Sequence, residues 1–473
     1  MRVVIIGAGF GGIAAAIELR NHGFDDITIL DRAPALGGTW LLNDYPGAAC
    51  DVPSHLYSFS YATRRTWPRL CSPRDEILAY LRGVAAEHEI DRLVTPNVEI
   101  THADYDTCWT LTAQDGRTWT ADALIVATGQ LHRTHTPRLP NADAFQGHVF
   151  HSAEWDHDYD LAGKRVAVVG TGASAVQFVP EIARQAKQLV VFQRTGNWFM
   201  PRKNHPYPRA VKILIQRVPG VQRFRRGFVF RYGETLTAMI RHPRTLGRLG
   251  HAKSALFMRW QLRGHPRLRK QVWPDYTFGC KRVLFSSHFL PALARKNVTL
   301  MTDPIRQITP TSVNGHEVDC LIYATGFKAT DFMFPLEITA RGAALRDVWE
   351  DGPFAHLGIT VPGFPSMYLM YGPNTNTSGG SILVYHEAQA AYIRQALQHG
   401  PAEVRPEVAA ASDRELQARF HGTAWTRCDS WYRDDSGRIV TNWPGYMREY
   451  QGRTKTFDPS EFSAPCPRRP ESR

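Results

Sequence analysis

The sequence predicts an α/β protein with two Rossmann-like dinucleotide-binding domains and a helical insertion, and three observations carry that expectation. Two separate segments, VVIIGAGFGGIAAAIEL and KRVAVVGTGASAVQFV, each run from an apolar strand through a glycine turn into a helix. After the second of them comes a long stretch dense in arginine and read as helical. The length of 473 residues suits two or three units at about 150 residues each.

In the first segment Val3 to Ile6 form the strand, and Gly7, Gly9 and Gly12 fill the pattern G-x-G-x-x-G. Such glycines serve a tight turn, close approach of backbone to a pyrophosphate, and close packing of helix on strand. The next strand, Ile27 to Leu30, ends in Asp31, 19 residues beyond Gly12. A carboxylate there accepts hydrogen bonds from ribose hydroxyls. Directly afterwards GGTW adds Thr39 and Trp40. Two later strands end in small residues, Ala127, Thr128 and Gly129 in one and Ala324, Thr325 and Gly326 in the other, where backbone can cross close to a nucleotide. Together these features assign FAD to the first unit.

In the second segment Val166 to Val169 form the strand, Gly170 and Gly172 the turn, and Ser174 and Ala175 enter the helix, Ala175 replacing the third glycine. The strand that follows, Leu189 to Phe192, ends in Gln193, Arg194 and Thr195 and carries no acid. A carboxylate repels a 2′-phosphate, whereas arginine pairs with it bidentately. This unit is therefore expected to take NADPH in preference to NADH.

The net charge of +12 is concentrated in one place. Between Arg202 and Lys270 stand 18 Lys and Arg against the single acid Glu234, so the rest of the chain is mildly acidic. Interleaved Phe224, Phe228, Phe230, Tyr232 and Trp260 would suit single-strand nucleic acid, and a basic amphipathic segment would suit anionic lipid. No nucleic-acid-binding motif accompanies the charge, which favours helices with a solvated basic face or one turned to an anionic cofactor. The seven cysteines are scattered without a C-x-x-C pair, so neither a disulfide framework, a zinc site nor a dithiol redox centre is expected. The N-terminus has no signal-peptide pattern and no window reaches 18 apolar residues, so a soluble cytoplasmic protein is expected.

One further pattern belongs to neither nucleotide unit. Phe145, Gly147, His151 and Trp155, followed by Asp156, are spaced as F-x-G-x-x-x-H-x-x-x-W. This resembles the fingerprint of type I Baeyer-Villiger monooxygenases, enzymes similar to flavin-containing monooxygenases. The resemblance covers nearly the whole chain: YPGAACD ending in Asp51, HLYSFSY with Tyr57, FQRTGNW, CKRVL with Lys281 and Arg282, YGPNTNTSGGS, and SWY with Trp431.

It implies an enzyme using FAD, NADPH and dioxygen to convert a small-molecule ketone to an ester or lactone through a flavin peroxide. It gives Arg282 the stabilisation of the peroxide and of its adduct with the ketone, as a permanent cation can. Asp51 would position Arg282, Lys281 would join Arg194 at the 2′-phosphate, and Trp431 would bond to the nicotinamide nucleotide. Phe145, Gly147, His151 and Trp155 would couple nucleotide occupancy to domain orientation. Gly196 and Val283 stand where members often have proline, which is expected to loosen each loop. Residues 202–275 and the loop Ser378 to Tyr385 are expected to shape the substrate pocket.

The resulting plan has residues 1–150 as the first part of an FAD domain and 151–310 as an NADPH domain with a basic helical insertion over about 202–275. Residues 311–460 complete the FAD domain, and 461–473 form a poorly ordered tail. Oxygenation of nitrogen or sulfur, a peroxide-leaking oxidase, and a non-catalytic flavoprotein binding nucleic acid or membrane are the alternatives.

Overall fold

The computed structural model describes residues 1–464 except Arg65, Lys203 and Pro219. Two five-stranded parallel sheets organise it. The first has the order Met367–Leu369, Ala123–Val126, Val3–Ile6, Ile27–Leu30, Val94–Thr95. The second has the order Val298–Met301, Gln188–Phe192, Arg165–Val169, Cys320–Tyr323, His148–His151. Their central strands, Val3–Ile6 and Arg165–Val169, are Val, Ile and Ala apart from Arg165 at one end, as sheets covered on both faces require.

Helix Phe10–Arg20 covers one face of the first sheet and packs on helix Ile382–His399. Its FGGIAAAIEL composition keeps the two axes close, and every residue from Phe10 to Ile17 is buried. The Ser381 hydroxyl caps the partner helix by accepting from the Leu383 amide at 3.3 Å. A third sheet joins Ile100–Tyr105, Trp109–Ala113 and Thr118–Ala121 to the later strand Glu337–Ala340. Four helices, Arg209–Arg217, Val221–Arg241, Leu246–Gln261 and Pro266–Val272, fill the basic stretch.

The strand Cys320–Tyr323 lies inside the second sheet, beside Arg165–Val169, and not with the first sheet as the segment 311–460 would have it. His148–His151 also joins the second sheet, as its edge, ahead of the expected boundary at 151. The physical reason is pairing: a buried CLIY strand satisfies its backbone groups against its parallel neighbours on both sides. Residues 461–464 likewise depart from the expected tail. Phe462 is buried and the pair Phe462–Ser463 runs antiparallel to Glu403–Val404. The remainder of that expected tail, 465–473, lies outside the described residues.

Candidate functional site

The two glycine turns face a central cavity of about 2220 Å³. That exceeds the roughly 300–1,000 Å³ of ordinary small-ligand pockets, leaving room for two dinucleotides and a substrate. At the first turn Gly7 has φ +109°, and a side chain there would meet the Ala127 carbonyl oxygen at 2.5 Å. At the second, Gly170 has φ +107° and the same clash, at 2.5 Å, with Ala324. Each Ala-Thr-Gly therefore serves the turn of its own sheet, so the second triplet belongs with the second nucleotide unit. Gly12 packs on the Gly7 carbonyl and Ala175 is buried, so neither reaches the cavity, whereas Gly9, Gly172, Ser174, Thr128, Gly129, Thr325 and Gly326 line it.

Asp31 is 9 % exposed and accepts the amides of Ala8 at 2.6 Å and Ala33 at 2.8 Å. Burial pushes its carboxyl up, against the lowering by those amides. Thr39 and Trp40 begin a short helix beside it, and the Trp40 indole donates to the Tyr57 hydroxyl at 3.0 Å. At the second turn the strand end presents Arg194, exposed to the cavity, with Thr195 beside it. Lys281 approaches Arg194, and burial together with the Arg194 charge pulls its ammonium below the usual lysine range. The Lys281 nitrogen also lies 5.0 Å from the centre of the Tyr276 ring.

Asp51 and Arg282 meet in the same cavity although far apart in sequence. One guanidinium nitrogen of Arg282 donates to both Asp51 carboxylate oxygens at 2.8 Å. Burial pushes Asp51 up, and the charge and hydrogen bonds of Arg282, with the charge of Arg202 beside it, together outweigh that, so the carboxyl lies below the ordinary range. The Asp51 charge in turn raises Arg282. Arg202 was not singled out by sequence; it donates to the Cys50 carbonyl at 2.7 Å and adds its charge beside Asp51. Gln177 was also missed. It lies on the second glycine helix, accepts from the Ala49 amide at 3.1 Å and donates to the Ala49 carbonyl at 2.9 Å, clipping that helix to the YPGAACD loop. No local pattern marks either residue, because both act across the two sheets.

The fingerprint residues stand outside the cavity. Phe145 is buried in the core of the second sheet, and a side chain on Gly147 would meet the Asp319 carbonyl oxygen at 2.7 Å. Trp155 packs on Phe178 of the second glycine helix, ring centres 5.2 Å apart. His151 is 6 % exposed, accepts the Ala153 amide at 3.1 Å, and packs edge-on to Phe327, which follows Gly326. Burial lowers its imidazole. At that point two connections between the sheets run side by side, joined by the His135 amide to the Gly326 carbonyl at 2.9 Å and the Lys328 amide to the Arg133 carbonyl at 3.0 Å.

One expectation is corrected here. Cys280 and Cys428 form a disulfide, which a spacing of 148 residues could not reveal. It ties Lys281 and Arg282 to the loop carrying Trp431, whose ring is 42 % exposed, lines the cavity and packs at 4.4 Å on Tyr432. Gly196 lies close against another segment: a side chain there would meet the Val272 carbonyl oxygen at 2.3 Å. Among the described residues no group of three His, Cys, Asp or Glu could hold a metal ion, and no helix is long and apolar enough to cross a membrane.

Residues 4–217 match the family described as pyridine nucleotide-disulphide oxidoreductase. The chain is 39 % identical over 482 residues to a Baeyer-Villiger monooxygenase of Streptomyces coelicolor, covering 98 % of this chain and 92 % of that protein. Among solved structures, an oxidised steroid monooxygenase bound to NADP superposes with a TM-score of 0.86 at 26 % identity, covering 98 % and 99 % of the two chains. A cyclohexanone monooxygenase from Rhodococcus sp. Phi1 bound to NADP+ gives 0.84 at 27 % identity, with 96 % of each chain covered. With its two glycine turns, its fingerprint and its paired Asp51 and Arg282 in place, the chain belongs to the Baeyer-Villiger monooxygenase family.

Proposed function

We propose that this enzyme uses FAD, NADPH and dioxygen to convert a ketone into an ester or lactone. The observation that carries the reading is the Arg282–Asp51 pair, set in one cavity between two nucleotide cradles. The first cradle suits FAD: the backbone at Gly7 and Gly9 would hold its pyrophosphate and Asp31 its ribose hydroxyls, and Thr39, Trp40 and Tyr57 wall the cavity beyond. The second suits NADPH: Gly170 and Gly172 would hold the pyrophosphate, and Arg194 with Lys281 the 2′-phosphate. When bound, NADPH supplies hydride and the flavin supplies the centre that activates oxygen.

The chain's own residues then do three things. Arg282 holds a charge that no accessible pH removes, directed at negative charge developing on the oxidant and on the carbonyl oxygen. Asp51 fixes the guanidinium through both oxygens and costs no reorganisation during reaction. Trp431, on a loop tied back by Cys428, lines the cavity and would bond to the nicotinamide nucleotide. His151 and Trp155 act at a distance: packed on Phe327 and Phe178, they sense the second nucleotide turn from the connection between the sheets. We assign residues around the first sheet to the FAD domain, those around the second to the NADPH domain, and the enzyme to the cytoplasm, where NADPH is supplied.

The test is product analysis. FAD-loaded protein supplied with NADPH and oxygen is given cyclic and aryl ketones, amines and sulfides, and products are read by mass spectrometry. Esters or lactones from ketones are expected; oxygenation of the heteroatom compounds alone would sink the ketone reading.

A further inference from the structure

The helices of the basic stretch leave an apolar surface uncovered. On Leu246–Gln261, Leu246, Leu249, Lys253, Leu256 and Trp260 recur at three- and four-residue spacing and so share one face. That face is exposed: Leu249 at 63 %, Leu256 at 70 % and Trp260 at 57 %. The fold does not need it, because the buried residues of the same helix are others. Gly250 lies against Phe278, the Ser254 hydroxyl donates to the Phe199 carbonyl at 2.7 Å, and Met258 is fully buried. Ile213 and Leu214 of helix Arg209–Arg217 are exposed too, as are Phe224 and Phe228 of Val221–Arg241. Of the sixteen large hydrophobic residues exposed among those described, ten fall between Ile213 and Trp260.

The charge around this surface is unopposed. Arg244, Arg248, Arg259 and Arg263 are exposed near the stripe. Among the described residues, Arg226 and Arg241 are the cations of the stretch that reach a carboxylate, on Glu387 and Glu449. A second copy docked face to face would set this positive field against itself. Single-stranded nucleic acid needs stacking platforms, and three of the stripe's apolar side chains are leucines, which offer none. Aliphatic and aromatic side chains ringed by Arg and Lys suit insertion among anionic headgroups.

We propose that the face formed by Leu246, Leu249, Leu256 and Trp260 with its surrounding arginines docks on an anionic lipid surface. Lys253, in the middle of the stripe, lines the central cavity, as do Phe224, Phe228 and Tyr232 of the neighbouring helix. Docking therefore brings the cavity's rim to the lipid. Delivery of an apolar ketone by this route rests on the function proposed above; the docking does not.

The test is flotation of FAD-loaded full-length protein with vesicles of phosphatidylcholine alone or of equal parts phosphatidylcholine and phosphatidylglycerol. Binding to the anionic vesicles only, weakened by salt, is expected. Leu249→Asp with Leu256→Asp should weaken it by about tenfold or more, and so should Arg248→Glu with Arg259→Glu. Both double variants should keep flavin content, melting temperature and the rate of flavin reduction by NADPH, which separates lost docking from lost folding or lost catalysis. Absence of wild-type flotation overturns the proposal, as does equal binding by the leucine variant. Two other outcomes replace it: retention on a single-stranded oligonucleotide without vesicle binding assigns the face to nucleic acid, and a dimer in sedimentation that the leucine variant abolishes assigns it to a second copy.

Discussion

At the first glycine turn the Ala127 carbonyl sits 2.5 Å from where a Gly7 side chain would stand, and at the second Ala324 repeats that distance at Gly170. The strands that follow diverge. One ends in buried Asp31, held by two amides; the other ends in exposed Arg194, crowded by Lys281. The shared geometry suits what two dinucleotides have in common, a pyrophosphate. On the function proposed above, the side chain just past each second strand would distinguish the ribose, Asp31 by accepting hydrogen bonds from its hydroxyls and Arg194 by pairing a 2′-phosphate.

The largest expected effect lies where the two regions meet. Arg282→Ala should lower ester formation by roughly 10²–10³-fold while leaving flavin reduction by NADPH within a few-fold, and Arg282→Lys should recover part of the loss. Equal loss of both steps would show that the arginine serves the nucleotide and not the carbonyl. The turns themselves should break separately. Gly7→Ala should strip the protein of flavin absorbance, whereas Gly170→Ala should keep the flavin and weaken NADPH by more than about tenfold in a binding titration, since each needs positive φ and a near carbonyl. If both variants lose flavin, the assignment of one nucleotide to each sheet is wrong.

Arg194→Ala should raise the Michaelis constant for NADPH by about tenfold and leave that for NADH within about twofold. An unchanged ratio would move the 2′-phosphate elsewhere. Smaller again is a pH effect. The Asp51 carboxyl lies below its ordinary value in the folded protein, so its pairing with Arg282 contributes stability above about pH 4, lost as pH falls through the folded value. Melting temperatures should therefore decline more steeply below about pH 4 in the wild type than in Asp51→Asn. Cys428→Ser, which frees the Trp431 loop, should raise the Michaelis constant for NADPH by about two- to fivefold, and so should a reducing buffer, with flavin content unchanged. No response to either would leave the disulfide without a part in holding that loop.

Local chemistry made the two turns readable. A glycine that must take positive φ, an acid or an arginine at a strand end, and a strand before a helix are all signals within about thirty residues. Pairings across the chain were not readable. The CLIY strand is equally apolar whichever sheet receives it, and only its position beside Arg165–Val169 assigns it to the second. Cys280 and Cys428 carry no spacing signature, and Phe462 looks like any residue of a polar tail until Val404 is seen opposite. Asp51 and Arg282 came from resemblance; their contact through both carboxylate oxygens came from the structure.

The edge strand Met367–Leu369 has a consequence for how the protein is made. It pairs with Ala123–Val126 across roughly 240 residues of sequence, all of the second sheet included. At about 5–20 residues per second a ribosome needs roughly 10–50 s to bridge that gap. Throughout that interval the nascent first sheet presents the open backbone of Ala123–Val126, an apolar edge of the kind that recruits other chains. The second sheet completes first, at Tyr323, and folds beside a neighbour that is still unfinished. Aggregation during synthesis should therefore concentrate on stalled or truncated chains ending between these two points, and added FAD should rescue only chains long enough to close the edge.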